Sequence, residues 1–321
     1  MPYNTNIGRT DAAALIPEEF SRDIITHLPD TSAALALFRH VPMSRAQLRI
    51  PAESALAVAY WVSGDTGQKQ TSKSAWTNLY LNAEELAVIV PVPENVLDDV
   101  DYDIWALIRP QLIEAIGRAL DAAVFFGVNK PASWPSDIAT AAAAAGNTTA
   151  DGATQVQGGI MGDIGNAFSP VEADGFDVNG IIANRTIKAK IRAARSTTGE
   201  QLAEPAEGSG DASQAPNDSA YGVPIRYPMR GLWPTGALAV EAIVGDFTQG
   251  MLGVRQDLTF KVLDQAVITD GAGAIQFNLA QQDMVAVRVT ARFAFQVANP
   301  ITYDQPTTAS RYPFGVLHAA T

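Results

Sequence analysis

The feature that most constrains the fold of this chain is a long run of alternating side chains near its C-terminal end. From Val285 to Val297 all seven odd-numbered positions are apolar, while Arg288, Arg292 and Gln296 hold even-numbered positions. Successive side chains of a β-strand point to opposite faces. The pattern therefore predicts a long strand with one buried face.

A second long element is predicted at residues 103–126, where apolar residues recur at helical spacing. At 100° per residue its polar positions fall within an arc of about 80°, and they are Gln111, Glu114, Arg118 and Asp121. The sequence thus predicts a helix with one solvated stripe and a broad buried face. Pro110 should kink this helix or mark the first turn of its main segment.

A protruding hairpin is predicted upstream of the helix. Residues 57–62, 76–81 and 86–92 have strand character, and residues 63–74 between them are wholly polar with two Gly. A ribbon of two strands cannot bury large rings alone, so we expect the hairpin to lie on a neighbouring surface. The residues assigned to that contact are Tyr60, Trp61, Asp65, Lys69, Lys73, Trp76 and Tyr80.

Composition argues against most chemical functions. The chain has no Cys, which excludes disulfides, zinc ribbons and iron–sulfur clusters. A net charge of −12 argues against a tight grip on nucleic acid. There is no phosphate-binding loop or nucleophile elbow, so we expect no catalytic, cofactor or metal site. No apolar run is long enough to span a membrane, and no leader directs secretion. A carbohydrate-active enzyme with a carboxylate pair stays open as a distant alternative.

Several short motifs occur in a fixed order along the chain. They are Ala-Tyr-Trp-Val-Ser-Gly at 59–64, the helix end at 120–127, Asn-Gly-Ile-Ile-Ala-Asn at 179–184, Gly-Val-Pro-Ile at 222–225, Val-Gly-Asp-Phe at 244–247, Gly-Val-Arg at 253–255 and Ala-Asn-Pro at 298–300. In that order they resemble the tailed-phage major capsid family, whose Hong Kong 97-type fold is shared with encapsulins. The resemblance runs from about residue 52 to residue 300.

The resemblance implies a mixed α+β fold with four parts and a tail. These are an N-terminal arm (1–50), an extended hairpin loop (51–92), a peripheral domain (93–167 and 245–303) with a spine helix at about 103–126, an axial domain (168–244) and a C-terminal tail (304–321). Within Val-Gly-Asp-Phe, Gly245 permits a tight backbone, Asp246 can cap nearby amides and Phe247 can anchor the core. The polar segment 204–220 is expected to be the most mobile internal loop.

The implied function is structural: self-assembly into hexamers and pentamers of an icosahedral virion shell that encloses double-stranded DNA. Assembly would occur in the host bacterial cytoplasm. Only about fifty residues precede the hairpin, so a separate scaffolding protein is expected, together with a portal, and decoration proteins are left open. Contact with the packaged genome should be weak and non-specific. Lys69 and Lys73 have no identifiable cross-linking partners, so we expect uncross-linked subunits that keep their first residues. An encapsulin compartment is the alternative shell.

Overall fold

The computed structural model describes residues 32–59, 61–62, 68–69, 71–99, 104–195, 198, 219–228, 232–234 and 239–320. The sequence also predicts a short helix at residues 17–27, and that segment lies outside the described residues. Of the predicted loop at 204–220 only the last two residues are described, and they form a short strand, Ser219–Ala220. None of the described helices combines the length and hydropathy that crossing a membrane requires.

Helices and strands both contribute to the described structure. The helices are α1 (Ala33–Leu37), α2 (Glu94–Asp99), α3 (Ile104–Phe126), α4 (Ile138–Ala145), α5 (Ile160–Ala173) and α6 (Arg185–Ala193). The strands are β1 (Arg39–Pro42), β2 (Gln47–Ala55), β3 (Ala75–Asn82), β4 (Glu84–Pro93), β5 (Thr148–Ala150), β6 (Gly180–Ala183), β7 (Ser219–Ala220), β8 (Val223–Arg226), β9 (Val240–Gly245), β10 (Gly250–Leu263), β11 (Val267–Thr269), β12 (Ile275–Asn278), β13 (Met284–Val297) and β14 (Phe314–His318).

The predicted long strand is confirmed as β13, which lies inside a four-stranded sheet of order β1-β10-β13-β4. Its odd-numbered residues face the core, where Val289 and Phe295 are fully buried. The sequence also predicts a strand at 258–263, and the structure extends it: the neighbouring strand β10 starts eight residues earlier, at Gly250. Its first four residues are buried whichever way they point, so alternation there is absent and the sequence gives no strand signal.

The predicted spine helix is α3, and it continues through Pro110, its seventh residue. Its apolar face packs on the four-stranded sheet through Leu112, Ile116 and Leu120, which share a core cluster with Val289 and Phe295. The expected solvated stripe is wrong at its last position. Asp121 is fully buried, because α1 packs over that end of the helix.

A six-stranded sheet of order β5-β14-β9-β6-β8-β7 forms the second unit, with α5 and α6 packed beside it. This topology corrects two predicted boundaries. The segment 304–321, predicted as a tail, contains β14, which pairs with β5 on one side and β9 on the other. Residues 148–167, predicted to belong with the spine helix, supply β5 and most of α5 to this second unit.

The hairpin is real but its limits differ from the predicted 51–92. Strand β2 pairs with β3 from Gln47↔Asn82 to Ala55↔Ala75, whereas β4 pairs with β13 in the four-stranded sheet. The strand predicted at 57–62 is wrong for its described residues, which are not in a strand. In a longer hairpin their partners would come from the polar residues 63–74, which offer no apolar face for such a strand to pack with. The predicted arm, 1–50, includes α1, β1 and the start of β2 in its described part.

Candidate subunit-contact surface

One face of the hairpin packs on its own subunit. Leu48 and Ile50 of β2 lie beside Leu79 and Leu81 of β3, and this face meets a small core cluster that includes Met251. Leu81 is fully buried. Because strand side chains alternate between faces, this anchor forces the intervening residues to point the other way.

The opposite face of the hairpin is open and aromatic. It carries Trp76 and Tyr80 from β3, with Glu53 and Arg49 directly across from them on β2. Trp76 is 66% exposed and Tyr80 is 45% exposed. Exposed rings on a face whose other side is already anchored leave a large apolar area without a partner in the described part of the subunit.

The other predicted contact residues lie beyond the paired strands. Trp61 is completely exposed, and Lys69 and Lys73 are exposed as well, while Tyr60 and Asp65 lie outside the described residues. Two hydrogen bonds hold the chain near the strand ends: Ser72 Oγ accepts from the Val58 amide at 2.7 Å, and the Tyr303 hydroxyl donates to the Ala57 carbonyl at 3.1 Å. The structure thus brings Trp76 and Tyr80 onto one face, and leaves Trp61 and the two lysines outside the ladder.

The Val-Gly-Asp-Phe turn joins β9 to β10 at the boundary between the two sheets. Gly245 has φ +156°, and a Cβ there would lie 2.3 Å from the Pro313 carbonyl oxygen, so a side chain would displace the segment before β14. Asp246 accepts hydrogen bonds from the Thr248 amide at 3.0 Å and from the Asn179 side chain at 2.5 Å. The turn therefore ties β6, β9 and β14 together.

Phe247 is buried within a group of five aromatic rings that joins the two sheets. Its ring centroid lies 5.3 Å from that of Phe314 and 6.0 Å from that of Phe38, and Phe38 in turn contacts Phe125 and Phe295. Sequence reasoning identified Phe247 but missed Phe38 and Phe314. Their local sequence is too short for a periodic signal, since each lies in or beside an element of five residues.

Asp121 is a buried carboxylate that sequence reasoning placed in solvent. It accepts hydrogen bonds from the Ser32 hydroxyl at 2.6 Å and from the amides of Ala33 and Ala34 at 2.8 and 3.0 Å. Burial raises the pKa of Asp121 from 3.8 to about 6, although these three hydrogen bonds oppose the rise. Through these bonds Asp121 holds residues 32–34, which precede the hairpin, against α3.

A cleft of about 280 Å³ lies between α3 and β4 in the described structure and has two carboxylates at its edge. Its walls include Ala119, Ala123 and Phe293. Glu84 and Glu85 lie at its edge, but they are successive strand residues and point to opposite faces. Glu84 accepts from Ser133 and Glu85 pairs with Arg292. The two carboxylates do not converge as a glycosidase pair would.

Solved structures from several phages have the same architecture. The model of the phage capsid family matches residues 12–301. The chain belongs to the phage capsid family. A solved structure from Microbacterium phage Oxtober96 is 38% identical, with a TM-score of 0.81 and coverage of 98% of this chain and 100% of that one. One from Mycobacterium phage Bobi is 32% identical, with a TM-score of 0.82 and coverage of 99% and 100%.

Curated relatives agree with the family assignment. The major capsid protein of Staphylococcus phage 80alpha is 25% identical over 304 residues, which covers 91% of this chain and 85% of that protein. The Hong Kong 97-type fold and the structural function expected from the sequence are confirmed. The protein is a subunit of a tailed-phage shell that assembles with copies of itself, it is part of the virion, and it is not an enzyme. The match to the phage capsid family favours a phage shell over an encapsulin compartment.

Proposed function

We propose that this subunit joins its neighbours through the outward face of the β2–β3 hairpin, in hexamers and pentamers of an icosahedral shell around double-stranded DNA. The observation that carries the proposal is the unequal burial of the hairpin's two faces. The face with Leu79 and Leu81 packs on its own subunit, whereas Trp76 and Tyr80 point away from it and stay exposed.

The energetics support an intermolecular role for these rings. Burying a large aromatic side chain contributes roughly 1.5–3 kcal/mol, and a two-stranded ribbon is only marginally stable alone. Lys69 and Lys73 would add weak, salt-sensitive contacts rather than covalent cross-links. Small contributions of this kind become decisive because every boundary between subunits repeats them.

The two sheet units suit the two domains of the family. The four-stranded sheet with α3 would be the peripheral domain, and the six-stranded sheet, with β14 in its interior, would be the axial domain near the capsomer axis. We further propose a separate scaffolding protein and a portal as assembly partners in the host cytoplasm. The net charge of −12 favours weak contact with the packaged genome.

A double substitution, Trp76→Ser with Tyr80→Ser, tests the hairpin assignment. We expect a folded subunit that no longer forms closed shells, as seen by negative-stain microscopy and a sizing column. Val156→Ser is the matched control, because Val156 is 80% exposed and lies outside the hairpin; it should assemble normally. Complete shells from the double variant, or a failure to fold, would overturn the assignment.

A further inference from the structure

The side of the four-stranded sheet away from α3 carries two rows of charged side chains. In one row Arg292 of β13 lies between Gln256 and Glu85. In the other, four residues along the same strand, Arg288 lies between Lys261 and Ile89. Directly opposed residues of neighbouring strands share a face, so the members of each row lie side by side.

The two rows differ in how their charges are balanced. Arg292 donates to Glu85 at 2.6 and 3.0 Å. Arg288 has no acidic neighbour in its row, and it faces a second cation, Lys261. Like charges directly opposed across strands are destabilising. The Nε atom of Arg288 is also buried and has no hydrogen-bond partner among the described residues, which is costly for a charged donor.

An anion from another molecule would offset the repulsion between the two opposed cations. Nucleic acid is a poor candidate, because binding to phosphates relies on clusters of many basic side chains, whereas this row has two cations on a chain of net charge −12. The third member of the row, Ile89, is apolar and 40% exposed. Two cations beside an apolar side chain suit a single carboxylate that is itself flanked by apolar surface.

The outward face of the hairpin presents such a carboxylate. Glu53 is exposed and lies directly across from Trp76, and no ion pair joins it to another described residue. The opposite face of the hairpin is held in its own subunit by Leu81. Glu53 and Trp76 therefore point away from the subunit that carries them, toward whatever molecule covers this face.

We propose that Lys261 and Arg288 of one subunit bind Glu53 from the hairpin of a second copy, with Trp76 of that copy packed on Ile89. This inference rests on the proposed function of the hairpin and names the surface that receives it. The bound carboxylate offsets the repulsion between the two opposed cations.

Charge reversal tests the pairing. Arg288→Glu and Glu53→Arg should each lower the yield of closed shells by about tenfold or more, since each change places like charges opposite each other across the interface. The double variant, with both reversals, should restore assembly. Arg292→Gln is the matched control: it removes a charge from the same strand and face, but one whose partner is within the subunit, so closed shells should form. Thermal unfolding of each variant checks that the subunit is folded.

A covalent test identifies the second copy directly. The chain has no Cys, so a Glu53→Cys protein and a Lys261→Cys protein can be mixed and oxidised without competing disulfides. A disulfide-linked pair of chains in assembled particles supports the proposal. The mixture of a Glu85→Cys protein with a Glu53→Cys protein serves as the control. It should give far less of the disulfide-linked pair, because Glu85 lies in the row where Arg292 already has its partner.

Three results would overturn the inference. They are wild-type shell yields from Arg288→Glu, no restoration in the double reversal, and closed shells from Arg288→Glu that have lost only their DNA, which would assign the cations to nucleic acid. If these occur while Trp76→Ser with Tyr80→Ser still abolishes shells, the hairpin remains the contact element and only its receiving surface is wrong.

Discussion

The hairpin and the C-terminal segment both look like extensions in the sequence, yet they differ in burial: the C-terminal segment is part of the core, and one face of the hairpin is exposed. Strand β14 is flanked by β5 and β9, and its Phe314 and Leu317 are fully buried. The hairpin has one anchored face and one open face, with Trp76 66% exposed. A strand with partners on both sides becomes core whatever its position in the chain, whereas a ribbon paired only with itself keeps a face for another molecule.

In each region, a buried aspartate accepts hydrogen bonds from the residues that precede the strands. Asp174 accepts hydrogen bonds from the Tyr312 amide at 3.0 Å and from the Asn147 side chain at 2.9 Å, just before β14. Asp121 accepts from three groups of residues 32–34, ahead of the hairpin. Local anchoring is therefore similar, and the difference between the regions lies in what covers the strands that follow.

The largest effect should come from emptying the core around β14. Phe314→Ala removes a fully buried ring that contacts Phe247, and we expect a loss of about 3–5 kcal/mol in the free energy of unfolding. Chemical denaturation of unassembled subunits measures it. A loss below about 1 kcal/mol would mean that β14 behaves as a tail after all.

A smaller effect is expected at Asp121, and it should depend on pH. The folded-state pKa of about 6 lies above the ordinary 3.8, so the folded protein holds this proton more tightly than the unfolded chain. The resulting stabilisation is fully present below the ordinary pKa and is lost as pH rises through about 6. A shift of this size corresponds to roughly 2–3 kcal/mol.

The non-titrating variant Asp121→Asn isolates that contribution. Wild-type stability minus variant stability, from thermal or chemical unfolding, should decrease by that amount between about pH 4 and pH 7. Ser32→Ala is the control, since it removes one hydrogen bond but keeps the carboxyl group and hence the pH dependence. Parallel pH profiles for wild type and Asp121→Asn would contradict the assignment.

Next in size is Arg311, which fixes the turn before β14. It is 2% exposed and donates to the Gln305 carbonyl at 2.6 Å and to the Asn299 side chain at 3.0 Å. Arg311→Met should cost about 2 kcal/mol, because buried acceptors lose their donor. Arg311→Lys should recover little, since one ammonium cannot reproduce the guanidinium geometry. Full recovery by Lys, measured by thermal unfolding, would show that charge alone matters.

What the sequence could predict depended on periodic burial. Strand β13 and helix α3 each bury one face over many residues, so their patterns were visible. Strand β14 and the first residues of β10 are buried on both faces and carry no alternation. Asp121 has the composition of a surface position, and only the packing of α1, more than eighty residues earlier in the chain, makes it internal. Long-range contacts of that kind leave no local trace.

The same reasoning applies to the contact surface. Aromatic residues near a polar tip predicted an exposed hairpin, and Trp76 and Tyr80 do share an open face. The pairing of β2 with β3, instead of residues 57–62 with 76–81, could not be read from the strand propensities of separate segments. The opposition of Lys261 and Arg288 depends on the alignment of β10 with β13, which includes two irregularities that no sequence pattern marks.

The smallest effect on folding is expected at the hairpin's open face, and it sharpens the comparison most directly. Trp76→Ala removes a ring at least as large as that of Phe314, but one that is 66% exposed, so the free energy of unfolding of unassembled subunits should change by less than about 0.5 kcal/mol. Denaturation of the two variants side by side measures the contrast, and the same Trp76→Ala protein should assemble poorly. If Trp76→Ala instead destabilises the lone subunit as much as Phe314→Ala does, the ring is part of the subunit's own core. The expected contrast rests on one argument: a side chain that contacts another molecule contributes little to the stability of the subunit that carries it. Equal losses from the two substitutions would therefore remove the distinction between the hairpin and β14.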